Sequence, residues 1–195
     1  MRRVIYRKFL ALFFDKWQVY IRRVCMDEFW KQIRGFPTYC VSDQGRVRNE
    51  ANGYILTRLI NQDKIVYVGL NHCGVQHRRS LAILVANAHV RKPPMFSESF
   101  DTPIHRDGDR TNNRAINLLW RPRWFAQRYH RQFMHPYLLP TPVQDLETGT
   151  IYDSTREAAV AFGLLEADIL IATRGNDFVW PTFQRFVFVP KIGQL

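Results

Sequence analysis

The stretch Pro103-Ile104-His105-Arg106-Asp107-Gly108-Asp109-Arg110-Thr111-Asn112-Asn113, followed by Asn117-Leu118-Leu119-Trp120, constrains this chain more than any other. Asp107-Gly108-Asp109 is a turn signal, because glycine accepts a left-handed backbone and aspartate oxygens bond nearby amides. Asn112 and Asn113 suit the same loop, since a carboxamide satisfies both donor and acceptor groups of a turn. The segment after Trp120 reads as a helix that interleaves Arg121, Arg123, Arg128 and Arg131 with Trp124, Phe125, Tyr129 and Phe133. No Asp or Glu lies between Arg110 and Pro140. A tight polar loop is thus joined to a strongly basic, aromatic helix.

The 195 residues are 46% hydrophobic and 14% aromatic, enough to bury a core as one domain or as a string of small modules. The formal net charge of +11 points to a polyanionic partner. The charge is uneven. Residues 1–140 hold 24 Lys or Arg against 10 Asp or Glu, a net +14, whereas residues 141–195 hold 4 against 7, a net −3. The excess sits largely on arginine, the better phosphate clamp. The candidate contacts to DNA or structured RNA are Arg46, Arg48, Arg78, Arg79, Arg110, Arg121, Arg123, Arg128 and Arg131. The chain has three cysteines, Cys25, Cys40 and Cys73, with no CxxC pair, and three cannot make a four-cysteine zinc site. Their odd number, without a secretory signal, leads us to expect an intracellular, reducing compartment. No apolar run has the length of a transmembrane segment.

Five segments are expected along the chain. Residues 1–28 read as a basic amphipathic helix. Met1 to Val24 carry seven Lys or Arg and one acid, Asp15, with Ile5, Phe9, Leu12, Phe13, Trp17, Tyr20 and Val24 at helical spacing. Such an arm docks on a nucleic acid, a membrane surface or a partner protein, and its low acid content also fits an organellar presequence. Residues 29–70 read as a small β-rich module, with strands over 54–59 and 64–70. Residues 71–134 hold a helix from Ser80 to Val90 and then the segment around His105. Residues 135–142, with three prolines, read as a linker. Residues 143–195 open with a hairpin through Thr148-Gly149. A helix over 155–162 follows, opened by Asp153-Ser154 and closed by Gly163. A second helix over 164–173 and a strand over 185–189 complete the module.

Taken in order, these segments resemble an HNH homing endonuclease. Trp30, Ile33, Gly35, Tyr39, Val41, Ser42, Gly45, Arg46 and Val47 match the small domain that precedes HNH cores. Residues 81–90 match the helix before the hairpin, although Ala82 stands where that family usually has histidine. Residues 102–131 match the ββα-metal core. Asp145, Gly149, Ser154, Glu157, Ala158, Ala159, Gly163 and Arg185-Phe186 match the C-terminal DNA-binding element. Residues 1–28 lie outside the resemblance. It implies an α+β, modular fold, with the HNH-like core flanked by small mixed modules.

The resemblance also assigns roles. His105 takes the place of the general base, and Asn117 that of the asparagine that holds the loop and orients the histidine. The family's metal oxygens come from the residue before the histidine and from an asparagine on the following helix. Those positions are Ile104 and Ala126, and neither offers an oxygen to Mg²⁺, a hard cation. Asp107, Asp109 or Gln127 would have to substitute. The expectation is therefore a non-catalytic nucleic-acid-binding protein with no cofactor, part of a larger nucleoprotein assembly such as a ribosome or a phage particle. The alternatives are an active Mg²⁺-dependent HNH nuclease and a DNA-binding regulator. The C-terminal module has a helix-turn-helix look, but Glu157, Glu166 and Asp168 lie on its helices. It and residues 1–24 are expected to contact protein components of the assembly.

Overall fold

The computed structural model describes residues 28–94, 98–136 and 141–189. The helix expected over residues 1–28, with its docking role, and the middle of the 135–142 linker lie outside the described residues. The rest is a mixed α and β molecule with four α-helices and four small antiparallel sheets among the described residues.

The first sheet runs β1 (Trp30–Ile33), β2 (Phe36–Ser42) and β3 (Val47–Asn49) in that order. Tyr39 and Val41 of β2 alternate inward, as a half-buried strand requires. The turn after β2 is fastened by the Ser42 hydroxyl, which accepts from the Arg46 amide at 2.9 Å, and by Asp43 Oδ1, which accepts from the Phe29 amide at 3.0 Å. The second sheet has β4 (Leu59–Ile60), β5 (Val66–His72) and β6 (Val75–Ser80) in sequence order. Val66, Val68 and Leu70 face inward along β5. The strand expected over 54–59 is mostly irregular. Ile55 only bridges Arg48, and ladder pairing begins at Leu59.

Helix α1 (Leu81–His89) follows β6 directly. Its Leu81, Leu84 and Val85 share one core with Val41, Val68 and Leu70 and with Leu118 and Trp120. The boundary expected between residues 70 and 71 falls inside β5, and residues on both sides of it share this core. The far end of α1 is clamped by polar contacts. Lys31 donates to the Ala88 carbonyl at 2.9 Å, and Trp120 Nε1 donates to the Val90 carbonyl at 3.0 Å.

Strands β7 (Thr102–His105) and β8 (Leu118–Arg121) pair antiparallel, with Ile104 opposite Leu119 and His105 opposite Leu118. A 3-10 turn over Ala115–Asn117 leads into β8, and α2 (Arg123–Gln132) follows it. This is the expected ββα unit. Ile104, Phe125, Ala126 and Tyr129 form its core, and Leu165 from the C-terminal module completes it.

The C-terminal sheet places β9 (Val143–Asp145) between β10 (Ile151–Tyr152) and β11 (Phe186–Phe188). Helix α3 (Thr155–Phe162) has the ends the sequence announced. The Ser154 hydroxyl accepts from the Glu157 amide, and Gly163 adopts φ +63° at the other end. Helix α4 (Glu166–Gly175) begins two residues later than expected. Leu164 and Leu165 lie before its first turn and are buried in the core instead.

Two glycines mark where the flanking modules touch the ββα unit. A Cβ on Gly45 (φ +78°) would come within 2.9 Å of the Asn113 carbonyl oxygen. A Cβ on Gly163 would come within 2.5 Å of Leu119 Cδ1. Both sites therefore need a residue with no side chain and a left-handed backbone.

Candidate functional site at the His105 hairpin

His105 ends β7 with its ring buried at 5% exposure. Its Nε2 lies 3.1 Å from Asn113 Oδ1. The Asn113 amide nitrogen donates to the carbonyls of Arg110 and Thr111, at 3.3 and 3.1 Å, which fixes its oxygen toward the histidine. Nε2 is therefore the donor, and the neutral ring carries its lone pair on Nδ1. That Nδ1 is buried without a hydrogen-bond partner. Burial holds the imidazole below its ordinary range, against a smaller opposing effect of the Asn113 bond, so the ring is neutral near pH 7.

The orienting role assigned to Asn117 is corrected by this geometry. Asn117 holds the loop and does not touch the ring. Its Nδ2 donates to Asp107 Oδ1 and to the Asn112 carbonyl, both at 2.9 Å, and its Oδ1 accepts from the Asp107 amide at 3.2 Å. Asn113, expected only to stabilise the loop, is the residue that orients His105. Sequence spacing could not separate the two because both asparagines precede β8 and both are buried.

The substitutes considered for the missing ligands are committed elsewhere. Asp107 accepts from Asn117, from Asn112 Nδ2 at 2.6 Å and from the Asp109 amide at 2.9 Å. Asp109 accepts from the Thr111 amide and hydroxyl, at 2.9 and 2.7 Å. Both carboxylates thus build the turn. Ile104 is fully buried in hydrocarbon and Ala126 is 4% exposed. Among the described residues no group of three or more His, Cys, Asp or Glu is placed to hold a metal ion. The donor set around His105 does not fit the family's Mg²⁺.

Sequence reading missed His130. It lies one helical turn beyond Ala126, with its ring centroid 5.9 Å from that of His105. Its Nδ1 is also buried without a partner, and burial together with the Arg110 charge pushes its pKa down to about 4. The signal available was the i, i+4 spacing from Ala126, which puts both on one helix face. Both histidines line a cavity of about 250 Å³ shared with Arg110, Asn113, Arg123 and Gln127.

The candidate arginines do not act as one group. Arg121 is the clear correction. It is 5% exposed, and its guanidinium donates to the carbonyls of Gly163, Phe162 and Trp120 at 3.2, 3.0 and 2.9 Å. It caps the C-terminal end of α3 from within the fold and cannot reach a phosphate. Desolvation lowers its pKa to about 10, which still leaves it charged at neutral pH. Arg106, which had not been singled out, does the same work beside it, donating to the Val160 and Ala161 carbonyls.

Arg46 and Arg48 sit over Trp30 and are paired with Glu28 and Glu50. Arg78 lies over Tyr67, with 4.1 Å from guanidinium carbon to ring centroid, and Arg79 lies over Phe36 at 5.5 Å. Arg78, Arg79, Arg123, Arg128 and Arg131 are exposed, and none of them has an ion-pair partner among the described residues. On α2 they divide: Arg123 lines the His105 cavity, whereas Arg128 and Arg131 line a second groove of about 380 Å³ against α4. The aromatic residues between them divide too. Phe125 and Tyr129 are core, and Trp124 is half covered by Trp180, which stacks on it at 5.4 Å.

The acids expected to repel phosphate from the second helix of the C-terminal module are not on its open face. Glu166 is 1% exposed and accepts from Arg156 Nε at 2.5 Å and from the Thr155 hydroxyl at 2.9 Å. Asp168 is half buried in the groove beside Arg128, and its pKa is raised by that burial. The open positions of α4 are Ala167, Ile171, Arg174 and Gly175. Local charge alone therefore no longer argues for a protein-binding role of this helix.

Residues 28–71 match the NUMOD4 motif. An uncharacterized HNH endonuclease, L245, of Acanthamoeba polyphaga mimivirus is 29% identical over 92 residues, 47% of this chain. The chain spans only 26% of that relative's length. The fold is also similar to the structure described as "DNA binding and cleavage by the HNH homing endonuclease I-HmuI", with a TM-score of 0.48 and 22% identity over 83% of this chain and 98% of that one. The chain is related to the HNH endonucleases.

Proposed function

We propose that this chain binds nucleic acid through its arginine-rich surface and does not cut it. The observation that carries this reading is the contrast within one hairpin. The loop, the neutral His105 and its Asn113 support are all built, while both positions that would bring oxygen to a cation are buried hydrocarbon. Phosphodiester hydrolysis needs an activated water and stabilisation of the charge developing on the phosphate. His105 could serve the first need. Nothing among the described residues around it serves the second through an HNH-type cation. A role inside a larger nucleoprotein assembly fits a protein that keeps affinity without turnover.

A second reading, an active nuclease with rearranged ligands, keeps one observation in its favour. The bare lone pair of His105 is poised as a general base would be. It requires Asp107 or Asp109 to leave the turn that each now holds together.

Binding should be steeply salt-dependent, losing roughly 0.7–0.9 log units of affinity per tenfold salt for each phosphate contact. Titration of a duplex DNA and an RNA hairpin over a salt series measures the slope. The triple variant Arg123→Gln, Arg128→Gln, Arg131→Gln should reduce it by about two to three units. Affinity indifferent to salt, or no binding to either probe, would reject the reading.

A further inference from the structure

The cavity beside His105 is not shaped for an ion. Its walls are Val66, Ala82, Ile83, Pro103 and Ala126. Of the three places, 82, 104 and 126, where the family resemblance calls for polar side chains, 82 and 126 line this cavity, and each presents a methyl group. A hydrated Mg²⁺ would have to give up water here without a single carboxylate in the lining to replace it. A flat, heteroaromatic group has the opposite needs. It buries its faces in hydrocarbon and satisfies its edge with a few hydrogen bonds in one plane.

Polar side chains border the same cavity, the two histidines from its buried side. His105 and His130 both border it, and each leaves a buried Nδ1 without a partner. On His105 that atom is an acceptor, because Nε2 is spent as a donor to Asn113. The Gln127 carboxamide, which can donate and accept, also lines the cavity. Arg110 and Arg123 complete the lining and are suited to hold phosphates on either side of an inserted group.

We propose that this cavity receives a single unstacked nucleotide of the bound nucleic acid, its base against the apolar walls and the two histidine edges, its flanking phosphates on Arg110 and Arg123. The proposal rests on the nucleic-acid-binding reading above. A base inside an intact duplex cannot enter the recess, so the nucleotide must be turned out of the stack. That costs least where the base is already unpaired.

The test uses the full chain and two probes, a duplex DNA carrying one bulged 2-aminopurine and the same duplex fully paired. Fluorescence titration should show the bulged duplex binding about tenfold tighter, the scale of one base stacked on protein. Ile83→Trp alters an exposed lip and should leave the fold intact. It and His130→Phe should each bring the preference close to one while the paired duplex binds as before. Equal affinity for the two duplexes, or a preference untouched by both variants, would overturn the cavity assignment and leave surface binding standing. If neither duplex binds, the nucleic-acid-binding reading fails and this proposal fails with it.

Discussion

Replacing Glu166 with alanine should destabilise the protein by about 3–5 kcal/mol, because it leaves the buried Arg156 charge without its carboxylate. At this chain length that corresponds to a fall in Tm on the order of 10 °C. Glu166 does more than pair with Arg156. It also accepts from Thr155, and its own amide donates to Gln132 Oε1 at 2.9 Å, so it ties α4 to α3 and to the helix of the ββα unit. Thermal unfolding of Glu166→Ala against the double variant Glu166→Leu, Arg156→Met separates the causes. A buried ion pair replaced by packed hydrocarbon is often close to neutral. The double variant should therefore recover much of the loss. If the single variant unfolds at the parent temperature, Glu166 is not the buried tie described.

Arg121→Met should cost about 2–4 kcal/mol and leave the salt dependence of nucleic-acid binding unchanged. The guanidinium supplies the donors for two carbonyls at the end of α3, where a cation is also favoured by the helix dipole. Lysine should not rescue it, since one ammonium cannot reproduce the planar fork that reaches Gly163, Phe162 and Trp120 together. Chemical denaturation measures the first part and a salt titration the second. The contrast with Arg123, Arg128 and Arg131 is the point. Those arginines should alter the slope and barely alter stability. A reduced slope in folded Arg121→Met would return this residue to the nucleic-acid surface.

These two residues also show why the sequence was only partly readable. Local signals worked where a single segment decides the outcome. The Ser154 cap and Gly163 fixed α3 at Thr155–Phe162, and alternation fixed the inward set of β5. The ββα unit was expected from the resemblance of residues 102–131 to the HNH core. What failed depended on neighbours distant in the chain. Arg121 looks like its basic companions until α3 is laid against β8, 41 and 42 residues away at its two carbonyl contacts. Glu166 and Asp168 count as negative surface until Arg156 and the groove against α2 are known. Asn113 and Asn117 share one loop and exchange roles because the path of the loop sets which amide faces His105. His130 could be seen only once the helix and the strand carrying His105 were brought together.

The central claim is that the hairpin binds without cutting, and one assay addresses it most directly. End-labelled duplex DNA and structured RNA are incubated with the full chain in Mg²⁺ and in Mn²⁺. Each sample is divided to read complex formation and strand integrity together. The account predicts retarded complex with intact strands in both ions, and the same result for His105→Ala. Cleavage by the parent chain that disappears in His105→Ala would contradict it.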